Sequence, residues 1–152
     1  MGLFKWWRQR REAKQLRELQ QNLDPQLWQQ ALGDWPFYQR STPAARTRLH
    51  ELALRLLLRK HLHATEGVEL TDALRLRVAG MAVAPVLELG LDWYAGWQTL
   101  IFYDGPFRAR HQWRDEAGVV HEGERQLSGE AWLRGPVVLS LDDVRHSGRA
   151  DG

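Results

Sequence analysis

The feature that most constrains the fold is a change of pattern at Gly90. Before it, apolar residues recur at helical spacing among Lys, Arg, Gln and Glu. After it, glycines, prolines, aromatics and β-branched residues take over. A chain that reads as helices first and strands second points to an α+β domain. The expected architecture is N-terminal helices over 24–89 followed by a small, mostly antiparallel sheet over 97–140. A basic helical segment over 1–23 precedes both.

Punctuation sharpens the helical half. Residues 5–21 are strong helix formers, with Leu16, Leu19 and Leu23 at helical spacing and Trp6 and Trp7 near the start. Asp24-Pro25 reads as a cap followed by proline at the first helical position. It opens a short helix through Leu32 that Gly33 ends. Trp35 to Tyr38 reads as a loop with aromatic anchors. Ser41-Thr42-Pro43 repeats the start signal for the clearest helix, ending near Lys60. Its Leu49, Leu52, Ala53, Leu56 and Leu57 form a buried face. A further helix starts at Thr71 or Asp72 and runs to just before Gly90, kinked at Pro85. Leu74, Val78, Met81 and Leu89 mark its inner side.

Beyond Gly90, Thr99–Tyr103 and Phe107–Trp113 read as strands joined by Asp104-Gly105-Pro106. Val119–Leu127 returns after the turn Asp115 to Gly118, and Ser128-Gly129 closes it. Val137, Val138 and Leu139 form a short apolar strand. Asp142–Arg149 reads as polar and weakly structured.

At 152 residues, 43% hydrophobic and 26% charged, the chain has material for about one domain with a real core. With no cysteine, disulfides and thiolate metal sites are excluded. No apolar run reaches the roughly 20 residues of a membrane span, and the N-terminus lacks the apolar core of a secretory signal. A cytoplasmic location is expected. Residues 1–60 carry 12 basic against 5 acidic side chains, and 61–152 carry 9 against 14. That asymmetry is either a solvated helix face or a surface for an acidic partner, nucleic acid or anionic lipid.

Chemistry is sparse. His61 and His63 would share one face of a strand, but no nearby Asp, Glu or Cys completes a metal site. His121-Glu122 starts like the zinc-peptidase motif HExxH. That motif needs two histidines one helical turn apart, whereas Arg125 occupies the second position and the flanks read as strand. The N-terminal basic run with Phe4, Trp6 and Trp7 could lie in a membrane interface or grip nucleic acid. No nucleic-acid motif supports specific binding of that kind. No phosphate loop or nucleophile motif is present.

The run Pro85 to Tyr94 with Gly96, Trp97 and Tyr103 closely resembles the Mlc titration factor A family of zinc-dependent peptidases. So does the block Ser128-Gly129-Glu130-Ala131-Trp132 with Gly135 to Ser140. Glu69 to Asp72 and Asp115 to His121 fit as well. The resemblance covers about residues 24–152 and is strongest from 85 to 140. Leu141 departs from it, since the family usually has tryptophan there. The resemblance implies a zincin-like metallopeptidase with aminopeptidase activity, zinc as cofactor, a peptide substrate, and binding of the Mlc repressor in control of glucose uptake. The family's HExxH helix follows a segment like Gly148 to Gly152, where this chain stops. The chain is therefore expected to be the N-terminal portion of such an enzyme, with no catalytic or metal residue of its own and no zinc bound by it alone. It would still supply a substrate-holding strand, for which Gly129, Glu130, Ala131, Trp132, Val137 and Val138 are the candidates. The alternative is a complete, non-catalytic module that contacts a transcriptional repressor.

Overall fold

The computed structural model describes residues 2–65, 67–103, 107–114, 120–127, 129–131 and 137–147. Four helices come first. Helix α1 spans Leu3–Asn22 and α2 spans Gln26–Leu32. Asp24 does start α2 as its sequence suggests: its Oδ1 accepts from the Gln26 N–H at 2.9 Å. Helix α3, Pro36–Arg40, occupies the stretch read as a loop. Pro36 supplies a φ already set for a first helical turn, and the Ser41 hydroxyl donates to the Phe37 carbonyl at its end. Helix α4, Pro43–Arg59, is capped by Thr42, whose Oγ1 accepts from the Ala45 N–H at 3.2 Å. Leu49, Ala53 and Leu56 are buried as expected, together with Leu54.

Strand β1, His61–Ala64, follows α4 directly and leads to α5, Asp72–Val83, capped by the Thr71 hydroxyl. Pro85 does more than kink this helix. The α-helix stops at Val83, and a 310 turn over Ala84–Val86 replaces it. Leu89 consequently leaves the inner face and is exposed. Gly90 turns the chain with φ +91°, a conformation that favours glycine, into a second 310 turn over Leu91–Tyr94.

The remaining elements are β2 (Thr99–Tyr103), β3 (Phe107–Arg114), β4 (Val120–Leu127), β5 (Gly129–Ala131), β6 (Val137–Ser140) and α6 (Leu141–His146). The expectation of a mostly antiparallel sheet is wrong, although the α+β class holds. The main sheet has the order β1-β2-β6-β5, and both β1–β2 and β2–β6 are parallel. Only the three-residue β5 pairs antiparallel, on β6. β3 and β4 form a separate antiparallel ribbon. The physical reason lies in Leu100-Ile101-Phe102 and Val137-Val138-Leu139. Unbroken apolar runs suit parallel strands covered on both faces, whereas an antiparallel meander with one wet face alternates. Parallel pairing needs a crossover, and α5 supplies it between β1 and β2. The joining segment 104–106 lies outside the described residues. Helix α6 forms where a weakly structured polar tail was expected. Ser140 caps it, accepting from the Asp143 N–H at 3.4 Å.

Helix α5 is apolar nearly all round because it packs on two sides. Leu76, Ala79 and Val83 join Leu32, Leu49 and Leu56 in the larger core. Leu74 and Val78 join Leu100, Phe102 and Val144 against the sheet. Gly80 permits the close approach of α2: a Cβ there would lie 2.8 Å from Leu32 Cδ1.

Candidate functional site

The strand candidates divide between two positions. Val137 and Val138 sit in β6, which is paired on both sides, with β2 and with β5. Gly129, Glu130 and Ala131 form β5, an end strand in the sheet order, with a ladder to β6 only. Trp132 lies outside the described residues. The sheet order has two ends, β1 and β5; of the candidate residues, those in β5 stand at an end, where an extended peptide could add, with β6 beside it.

Beside β6 lies an apolar cavity of about 570 Å³. Val78, Met81 and Ala82 of α5 form one wall, and Leu100, Val137 and Leu139 of the sheet form another. Tyr94, Trp97, Asp143, Val144 and Ser147 complete the lining. These walls are held by polar clamps behind them. The Tyr94 hydroxyl donates to the Ala82 carbonyl at 2.6 Å, and burial pushes its pKa up. The largely buried Lys60 ammonium donates to the carbonyls of Tyr94, at 2.6 Å, and of Trp97. It also sits 4.7 Å above the Trp97 ring. Desolvation first, and the Arg59 charge second, lower its pKa. Arg77 is buried and ties three elements together. Its guanidinium donates to Ala31 O at 2.8 Å, Asp34 Oδ1 at 2.7 Å, Val144 O at 3.1 Å and Ser147 O at 2.6 Å. The cavity can seat apolar groups, and among the described lining residues no nucleophile is paired with a base.

A second cavity, about 350 Å³, opens among α1, α2, α3 and α4. His50 stacks on Trp28, with ring centres 3.9 Å apart and planes 12° from parallel. Its Nε2 lies 2.7 Å from the Tyr38 hydroxyl. Burial and then the Arg46 charge lower the His50 pKa to about 4. The imidazole is therefore neutral near pH 7, and Tyr38 donates to it. Burial also raises the Tyr38 pKa.

Neither His50 nor Tyr38, Lys60 or Arg77 was singled out from the sequence. Arg77 gave the best available signal, as a charged residue inside the apolar run of α5. His50 and Lys60 gave none, since each sits in an ordinary helical register. Conversely, His61 and His63 do share the exposed face of β1, but no group of three or more metal-ligating side chains occurs among the described residues. Those residues do not fit a zinc centre. His121 and Glu122 fall in β4, opposite Trp113 and Gln112. The helical geometry of an HExxH pair is thus absent there. Of the tryptophans after Gly90, Trp97 packs against both cores while Trp93 is exposed.

The sequence profile of the family described as glucose-regulated metallo-peptidase M90 matches residues 4–152. Among curated proteins, Mlc titration factor A of Klebsiella pneumoniae strain 342 is 38% identical over 125 residues, covering 82% of this chain and 47% of that protein. Mlc titration factor A of Salmonella arizonae is 38% identical over 135 residues, covering 89% and 53%. That of Escherichia coli strain HS is 37% identical over 125 residues, covering 82% and 47%. The chain spans about half the length of these relatives. With the profile matched across nearly all of its residues, the chain belongs to the M90 family of glucose-regulated metallo-peptidases.

Proposed function

We propose that this chain forms the N-terminal half of a cytoplasmic, zinc-dependent aminopeptidase and supplies part of its substrate-holding wall. The observation that carries the proposal is the arrangement of β5 at one end of the sheet beside an apolar cavity, within a family of metallopeptidases. An extended peptide would pair with Gly129, Glu130 and Ala131. Val137 and Val138 would hold that strand in place, and the cavity would take an apolar side chain. Trp132 is assigned to the same wall on sequence grounds. No HExxH occurs in the 152 residues, so no step of peptide hydrolysis is assigned to this chain's side chains.

The test is hydrolysis of an aminoacyl p-nitroanilide by this chain alone and by a mixture with the C-terminal half of the Klebsiella pneumoniae relative. Alone, the chain should contain no zinc by metal analysis and show no chelator-sensitive hydrolysis. The mixture should gain it. Chelator-sensitive hydrolysis by the chain alone would sink the reading.

The relatives' name, Mlc titration factor A, favours a second role. In it, an Mlc-type repressor is a protein partner, and the link to glucose uptake follows from that contact. Retention of the repressor by immobilised chain at low salt would support it. Absence of retention would leave the name without a counterpart in this half.

A further inference from the structure

Helix α1 is docked by its second half only. Leu16 is its buried residue, and Glu12 receives Arg59 through two bonds of 2.8 and 2.9 Å. Residues 2–11 are exposed throughout. That protruding end carries Leu3, Phe4, Trp6 and Trp7, with Phe4 83% and Trp7 62% exposed. Trp7 lies nine residues before Leu16, which is two and a half turns at about 3.6 residues per turn, so it points away from the body. At about 100° per residue, Leu3, Phe4 and Trp6 all fall within about 100° of that direction, so the apolar residues share the outward face of the tip.

Charge begins inside this tip at Lys5 and continues beyond it. Lys5, Arg8, Arg10 and Arg11 fall within residues 2–11, which contain no acidic residue. Lys14 and Arg17 extend the run, and the first acid, Glu12, is taken by Arg59. Arg10 lies 4.2 Å above the Trp6 ring, and Trp6 meets Trp7 edge to face at 6.0 Å. No helix is long and apolar enough to cross a membrane among the described residues.

We propose that the exposed end of α1 docks on an anionic lipid surface, with Leu3, Phe4, Trp6 and Trp7 entering the headgroup boundary and the following cations contacting lipid phosphates and carboxylates. The order along the axis favours this occupant. The apolar tip is about 6 Å long at 1.5 Å per residue, which suits the ~5–10 Å depth of interfacial insertion. Tryptophan is suited to that depth, and the cations then lie at headgroup level. A protein groove would select an apolar stripe at positions i, i+3, i+4 and i+7; Leu3, Trp6 and Trp7 begin such a stripe, but the fourth position is Arg10, a cation over the Trp6 ring. Nucleic acid could stack on the aromatic rings but would leave Leu3 without a role.

The test is co-sedimentation of the whole 152-residue chain with phosphatidylcholine vesicles, with and without phosphatidylserine, at low and high salt. Binding should require phosphatidylserine and weaken with salt. Replacing both tryptophans (Trp6→Ser with Trp7→Ser) keeps every charge and should weaken binding by about tenfold or more. The variant Arg8→Gln with Arg11→Gln removes two of the six cations named and should weaken both the binding and its salt dependence by about a third. All four side chains are exposed, so circular dichroism and melting should match the parent chain. No binding to phosphatidylserine vesicles, or undiminished binding by the tryptophan variant, would overturn the proposal. Binding to duplex DNA with none to vesicles would overturn it as well, in favour of nucleic acid.

Discussion

On its α2 and α4 side, helix α5 buries Leu76, Ala79 and Val83 in a core where Leu32, Ala53 and Val83 have no exposed surface. On its sheet side, Leu74 and Val78 meet Leu100 and Phe102 next to a cavity of about 570 Å³. One helix thus serves a closed region and an open one. Close packing rewards every methylene in the first. In the second, wall atoms already lack partners on one side. The difference separates where the fold is held from where something can bind. It also gives Arg77 its place, since its bonds to Ala31, Asp34, Val144 and Ser147 fasten the two regions together.

The largest expected effect lies in the closed region. Leu32→Ala deletes a fully buried side chain that packs onto Gly80. We expect a loss of about 3–5 kcal/mol, from transfer and cavity terms together, read as a lower urea midpoint with an unchanged slope. A loss below about 1 kcal/mol would mean that this region is not the closed one.

The closed region was also the more legible in sequence. Caps at Asp24, Thr42 and Thr71 and the leucine spacing of α4 are local signals, and each produced the element it announced. α3 was missed because Pro36 was read as a loop residue rather than a helix start. The sheet was harder because pairing is not local. β2 and its partner β1 are separated by α5, and His61 to Ala64 is too short and polar to announce a strand. The apolar runs of β2 and β6 did carry the parallel signal, but the turn-like segments between later strands suggested a meander. The candidate wall was partly legible, since motif residues marked β5 and β6. Which of the two ends the sheet was set by pairing alone. The cavity and the Arg77 clamp depend on residues from three or more elements and had no sequence pattern.

A second, smaller effect tests the helical side of the molecule by pH. In the unfolded chain His50 titrates near 6.5, and in the fold near 4. Between those values the unfolded state takes up a proton that the folded state refuses, so stability falls as pH drops from about 6.5 to about 4 and then levels. Because the ring keeps some solvent contact, we expect a loss of about 1–2 kcal/mol, less than the full shift implies. Urea midpoints between about pH 7 and pH 4.5 would show it. His50→Gln, which does not titrate but can accept from Tyr38, should remove most of that slope. An equal slope in both proteins would assign the pH dependence elsewhere.

The smallest effect belongs to the open region and is the sharper test of the comparison. Leu139 is half-buried in β6 and borders the cavity. Leu139→Ala removes the same atoms as Leu32→Ala but leaves little new void, because the space beside it is already open. Only part of the transfer term is lost, about 1 kcal/mol. The ratio of the two losses, measured by the same urea titration, therefore reports how far the cavity is open in solution. If Leu139→Ala costs as much as Leu32→Ala, neighbouring chain fills the cavity in solution, and the apolar space beside β6 is core rather than a place for a substrate side chain.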